Sequence, residues 1–181
     1  MKKIYNFNDF KINEELDFNP IPCTYNISNT TYNNILIDTF EFLSKNNISY
    51  TIYIHLTTES NHLVENEKNP NGIFLQSING NNPIPTIYFS ETSRGLNSST
   101  FDELTKNNEP MDVMGRIIFI LNDYINSVNY KVFSIGRVDT NKYRFYSYWL
   151  KNLPISEVLI GDSDNYTDTF GKKDKAYYLI R

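Results

Sequence analysis

PMDVMGRIIFILNDYINSV, Pro110 to Val128, followed by KVFSIG, Lys131 to Gly136, decides how this chain is organised. Met114, Ile117, Ile118, Leu121, Ile125 and Val128 recur at i, i+3, i+4 and i+7, which lays one apolar stripe along an amphipathic helix. Pro110 suits the first turn, where a missing N–H costs no hydrogen bond. Val132, Phe133 and Ile135 come directly after. Apolar residues outnumber polar ones there, so the run predicts a short central strand. The next stretch, DTNKYRFYSYWLKNL from Asp139 to Leu153, carries Tyr143, Tyr146, Trp149, Leu150 and Leu153 and reads as a second helix. It ends before Pro154, because the residue preceding a proline disfavours helical backbone.

Working outward, Tyr32, Ile35, Leu36, Phe40 and Leu43 fall at helical spacing between an N-cap at Asn29 or Thr30 and the stop at Asn46-Asn47, which predicts a further, first helix. Tyr50, Ile52, Ile54 and Leu56 alternate with polar neighbours, the period of a half-buried strand. Thr57 to Asn71 reads as a loop. Ile73 to Ile78 and Ile84 to Phe89 read as the two strands of a hairpin joined through Asn79-Gly80-Asn81-Asn82-Pro83. Ser90 to Glu109 is polar, with a short helix around Phe101 to Leu104. Strands at Ser156 to Ile160 and Ala176 to Ile180 bracket a polar loop, Gly161 to Asp174. The expected class is α/β (α+β), a single mixed, mostly antiparallel sheet flanked by helices. Pro20 and Pro22 set residues 1–22 apart as an extended N-terminal arm, leaving 23–181 as one domain.

Composition narrows the function classes. A chain of 181 residues, 40% hydrophobic and 15% aromatic, buries one real core. A net charge of −4 without marked blocks lacks the basic footprint of a protein that tracks a nucleic-acid backbone, so no direct nucleic-acid contact is expected. The lone Cys23 forms no internal disulfide and supports no thiolate zinc site. No apolar run reaches the roughly 18 residues that span a bilayer, so no membrane role is expected. The 26 asparagines against 7 glycines, with many isoleucines, lysines and tyrosines, reflect A/T-rich codons and point to a low-GC bacterium or phage.

Several residues carry chemistry only under conditions the sequence does not meet. His55-Leu56-Thr57 has the His-x-Thr form of the 2H phosphoesterases, whose acid–base chemistry needs two such motifs facing each other. The only other histidine is His62, followed by Leu63-Val64 and too close to face it, so His55 reads as a polar-face strand residue. Asp162, Asp164 and Asp168 alternate in GDSDNYTDTFG, but a calcium loop would want an oxygen ligand at Tyr166, glycine at Thr167 and glutamate at Lys173. No metal site follows. Cys23 has no base beside it in the sequence and reads as a small hydrophobe or inert thiol. Tyr143, Phe145, Tyr146, Tyr148 and Trp149 wrap around a whole helix, which leaves Phe145 and Tyr148 pointing outward as interface residues.

From Thr30 the expected order of helix, three strands, helix, strand, helix and two strands resembles the GNAT acetyltransferases over about 150 residues. In that family an Arg/Gln-x-x-Gly-x-Gly/Ala loop opens the helix after the third strand, and its amides hold the coenzyme A pyrophosphate. KNNEPMDVMGR stands in that place, without the glycines and with Pro110 removing a donor. Asn141 and Tyr148 match the family's asparagine and the tyrosine that acts as general acid toward the leaving thiolate, while Arg144 stands where a small residue is usual. The opening KKIYNFNDFKINEEL, Lys2 to Leu16, resembles a Phe-x-x-Phe-x-x-Asn-Glu leader of small proteins of crAss-like and related phages of Bacteroidetes. These resemblances imply a non-enzymatic phage virion protein, part of the capsid, portal vertex or tail, found in the virion and during assembly in the host cytoplasm. Its partners would be other virion proteins in a homo-oligomeric ring or other multi-copy assembly. Its contacts would be made by Ile4, Phe7 and Phe10 of the arm and by Phe145 and Tyr148, with no cofactor. The alternatives are a coenzyme A-dependent N-acetyltransferase with Tyr148 as general acid, and a phage accessory protein countering host defence.

Overall fold

The computed structural model describes residues 18–57, 63–66, 69–80, 82–93, 109–138, 149–167 and 173–181. Nine strands are present among them: β1 Tyr25–Tyr32, β2 Ile35–Leu43, β3 Ser49–Thr57, β4 Leu63–Asn66, β5 Asn69–Phe74, β6 Ile84–Glu91, β7 Val132–Val138, β8 Glu157–Thr167 and β9 Lys173–Ile180. A single helical turn, α1 (Leu75–Ile78), precedes β6, and the long helix α2 (Pro110–Ser127) joins β6 to β7. Seven strands form one sheet in the order β1-β2-β3-β6-β7-β9-β8, and β4 with β5 forms a two-stranded ribbon. Every neighbouring pair in the large sheet is antiparallel except β6 with β7. Parallel neighbours need a crossover, and α2 lies within it.

Helix α2 follows its periodicity. Val113, Met114, Ile117, Ile118, Ile120, Leu121, Tyr124 and Ile125 are buried, Pro110 occupies the first turn, and Asp112 places a negative charge near the N-terminus. Its other end is closed from a distance: Arg181 Nη1 donates to the carbonyls of Ile125 and Val128, each at 2.8 Å. These are C-terminal carbonyls that the helix itself leaves unpaired, and a cation suits that end of the dipole.

Strand alternation divides the sheet into two apolar surfaces. Phe40, Phe42, Tyr50, Ile52, Ile54, Ile87, Phe89, Phe133, Ile135, Tyr177 and Leu179 meet α2 and Trp149, Leu150 and Leu153 in the main core. Leu75, Ile84, Val132, Leu159 and Tyr178 form a smaller cluster of the opposite parity. Phe18 belongs to the main core, and just after it the chain crosses α2 at Gly115, whose carbonyl accepts a 2.9 Å bond from the Ile21 N–H. β7 is central, as its apolar run predicts, with β6 on one side and β9 on the other.

The structure corrects five expectations. The helix expected from Thr30 to Leu43 is the β1–β2 hairpin, with Tyr32 paired to Ile35 across Asn33-Asn34. Both asparagines have positive φ, 50° and 64°, as a two-residue type I′ turn requires. Asparagine tolerates that region better than other residues with a Cβ, and β-branched Thr30, Thr31, Ile35, Ile37 and Thr39 favour the extended state. The loop expected from Thr57 to Asn71 holds β4 and the start of β5. The strand expected from Ile73 to Ile78 stops at Phe74, and α1 follows, closed by the Asn79 N–H on the Leu75 carbonyl at 3.1 Å. β6 therefore pairs with β3 and β7 rather than hairpinning with β5. The polar loop expected from Gly161 to Asp174 is strand at both ends, because β8 runs to Thr167 and β9 begins at Lys173, while residues 168–172 lie outside the described residues. Helices do not flank both faces among the described residues: α2 covers one, and α1 on the other is only a turn. The short helix expected around Phe101 to Leu104 lies outside the described residues, as does the aromatic helix up to Tyr148.

Candidate functional site

The parallel strands β6 and β7 pair only at Thr86–Ser134 and Ile87–Ile135. Beyond them β6 continues along β3 as far as Glu91, while β7 continues along β9 as far as Val138. A sheet whose parallel strands part at their carboxyl ends is where α/β proteins place ligands, beside the N-terminus of the crossover helix. In this chain that N-terminus is occupied by Glu109. It is 1% exposed, makes no side-chain cap bond, and neither carboxylate oxygen has a hydrogen-bond partner among the described residues. The next residue, Pro110, has no amide hydrogen.

The second face of β3, β6 and β7 is unusually polar. Thr51, Thr86, Ser90 and Ser134 are buried, and the Ser134 hydroxyl donates to Thr86 at 2.8 Å. Thr51 and Ser49 both bond the Thr92 hydroxyl at 2.8 Å, and Ser49 donates onward to Glu41 at 2.7 Å. Ser90 Oγ has no partner among the described residues. His55 is in this row, its ring 4.9 Å from that of Tyr88. Its Nε2 is buried without a partner among the described residues, and burial holds its pKa below the usual histidine range. A neutral ring tilted against a tyrosine fits the strand residue that the sequence indicates. His62 lies outside the described residues.

A third cluster lies where β1 and β2 meet α2. A cleft of about 460 Å³ is lined by Thr24, Tyr25, Glu41, Ser44 and Arg116 among others. The Arg116 guanidinium forks onto Asp112 at 3.0 and 3.1 Å, and the Lys45 N–H bonds the same carboxylate at 2.9 Å. Burial works against the Asp112 anion, but these donors outweigh it and hold the carboxyl below the ordinary range. Cys23 adjoins Arg116, yet burial prevails and pushes its thiol up. A thiol held protonated is a poor nucleophile.

The structure also exposes a surface that the sequence reading missed. β1 is the terminal strand of the sheet, and all of its residues after Tyr25 are exposed. Ile27, Tyr32, Leu36 and Leu43 on the hairpin are large apolar side chains open to solvent. The signal available in the sequence was Asn33-Asn34 between β-branched runs, a hairpin mark that the helical spacing of Tyr32 to Leu43 obscured. Ile4, Phe7, Phe10, Phe145 and Tyr148, the interface residues indicated by the sequence, lie outside the described residues, as do Asn141 and Arg144. Of the aspartates, Asp162 and Asp164 fall within β8 rather than a loop, and Asp162 is registered opposite Lys175. That is not the backbone of a calcium loop. No three metal-ligating side chains converge among the described residues, and no helix there is long and apolar enough to cross a membrane. No family model, no curated protein and no solved structure matches this chain.

Proposed function

We propose that this chain is a non-enzymatic structural component of a phage virion, present in several copies and acting through protein–protein contacts. The observation that carries the non-enzymatic part is Glu109. In a GNAT-like scaffold the helix after the third strand would offer amides to a pyrophosphate, and here that helix is preceded by a buried glutamate and begins with a proline that has no amide hydrogen. The GNAT-like part is supported by the succession β6, α2, β7, then β8 and β9, which matches the strand, helix, strand and closing pair of that order; most of the helix expected before the pair lies outside the described residues. The hairpin β1–β2 replaces its first helix. The virion part is supported by the Lys2 to Leu16 leader and the A/T-driven composition.

Mass spectrometry of purified particles tests the virion reading: the chain is expected among their proteins. Absence from particles, with synthesis early in infection, overturns it in favour of an accessory protein countering host defence. Calorimetry with acetyl-coenzyme A tests the non-enzymatic reading, with no binding expected at millimolar cofactor. One observation favours the competing N-acetyltransferase reading, in which Tyr148 would be general acid: β6 and β7 pair at only two positions, and α/β folds place cofactors where neighbouring strands part. Saturable binding there would establish that reading instead.

A further inference from the structure

We infer that two copies of this chain associate through their β1 edges, antiparallel about a two-fold axis, so that two seven-stranded sheets become one continuous sheet. The inference rests on the sheet edge alone and stands whether or not the chain belongs to a virion.

The two-residue turn at Asn33-Asn34 makes Tyr32 and Ile35 the closing hydrogen-bonded pair of the hairpin. Hydrogen-bonded and non-bonded positions then alternate along the ladder, so the backbone groups of Thr31, Asn29, Ile27 and Tyr25 point away from β2. No described strand meets them. Sheets that remain monomeric block such an edge with charge, proline, a bulge or a very short strand. β1 has none of these devices. It is eight residues long, YNISNTTY, uncharged, and in unbroken register with β2.

The absence of charge suits a second copy as the occupant. A strand pairing with its own copy sets each residue against another from the same set, and any charged residue near the axis would meet itself. An axis at Ser28 joins the outward groups correctly: Ile27 faces the partner's Asn29, Tyr25 faces Thr31, and Ser28 faces Ser28. No like charges are opposed. The Ile27 side chains, each 60% exposed, then become diagonal neighbours on the face that carries Phe40. Both α2 helices lie on that same face.

Area sets the strength. Seven paired residues at about 3.4 Å each, on a sheet about 10 Å thick, cover roughly 240 Å² per copy. The total of about 500 Å² is below the roughly 1,200 Å² of a stable complex, so the dimer is concentration-dependent.

Sedimentation equilibrium over a wide concentration range is the test. The wild type is expected to show a monomer–dimer equilibrium. Ile27→Lys and Ile27→Glu, at an exposed position, should each melt like the wild type and dimerise about tenfold or more weakly. An equimolar mixture of the two should recover dimer, because opposite charges then meet across the axis. A wild type that stays monomeric throughout overturns the inference and leaves the edge to a strand from a different protein. A dimer that Ile27→Lys does not weaken, or a mixture that fails to recover, overturns the pairing about Ser28.

Discussion

Gly115→Ala separates a close crossing from an ordinary helical glycine. In a helix interior alanine is better than glycine by about 1 kcal/mol, so by propensity alone the substitution stabilises. Here the added Cβ would lie 2.7 Å from both Cγ1 and Cδ1 of Ile21 and 2.8 Å from the backbone oxygen of Asn19. The Ile21 side chain can rotate aside. The Asn19 carbonyl is less free, because the chain two residues on is tied to the Gly115 carbonyl at 2.9 Å and Phe18 beside it is buried. Overpacking of this kind costs about 1–3 kcal/mol, and the backbone contact puts this site in the upper half of that range. Against the propensity gain, the net loss is about 1–2 kcal/mol, or a Tm lower by about 2–8 °C in a domain of this size. Thermal unfolding by circular dichroism reads it. Adding Ile21→Ala to Gly115→Ala should remove the two side-chain contacts and show a favourable coupling of about 0.5 kcal/mol or more, while the clash with Asn19 persists. A Tm that rises in Gly115→Ala would refute the close crossing, and with it the packing of Phe18 to Ile21 against α2.

Asn79 is 3% exposed and bonds both ways: its Oδ1 accepts from the Lys131 and Val132 amides at 2.7 and 3.1 Å, and its Nδ2 donates to the Pro83 carbonyl at 2.6 Å. Asn79→Ala strands these partners and should cost about 2–4 kcal/mol in denaturant unfolding, with Asn79→Asp, which keeps the acceptor, losing less. At the hairpin, Asn34→Gly should be neutral or stabilising and Asn34→Val destabilising by about 1–3 kcal/mol, since a β-branched residue resists positive φ; equal effects would exclude the type I′ turn. Acid melts test His55. Its folded pKa is lowered by burial, so the unfolded state takes up the proton first, and stability falls as pH drops below the unfolded value near 6.5. His55→Gln should flatten that part of the profile, and an unchanged slope would show that the ring is not buried neutral.

What was legible in the sequence had a strong local cause. The stripe from Met114 to Ile125 has one period and one proline at its start, so α2 forms where it is read. Tyr50 to Leu56 and Ile84 to Phe89 are strands for the same kind of reason. The absence of glycines before Pro110 was also legible, and the structure adds that Glu109 is buried there. The segment Tyr32 to Leu43 was not, because its apolar residues satisfy both a helical and an extended spacing. Its state is decided by pairing, in which β3 supplies the second neighbour for β2 and buries Phe40 and Phe42 against α2. Gly161, Asp162 and Thr167 of the next polar run likewise extend against β9, which lies beside them.

By itself the sequence determined the long helix, the central strand and the lack of freedom at the helix start, since each depends on residues within a few positions of one another. Only the tertiary structure decided which strands are neighbours, that β6 and β7 run parallel, and that β1 has an open edge among the described residues. Those are long-range pairings, set by which surfaces can be buried together, and no local window of the chain contains them.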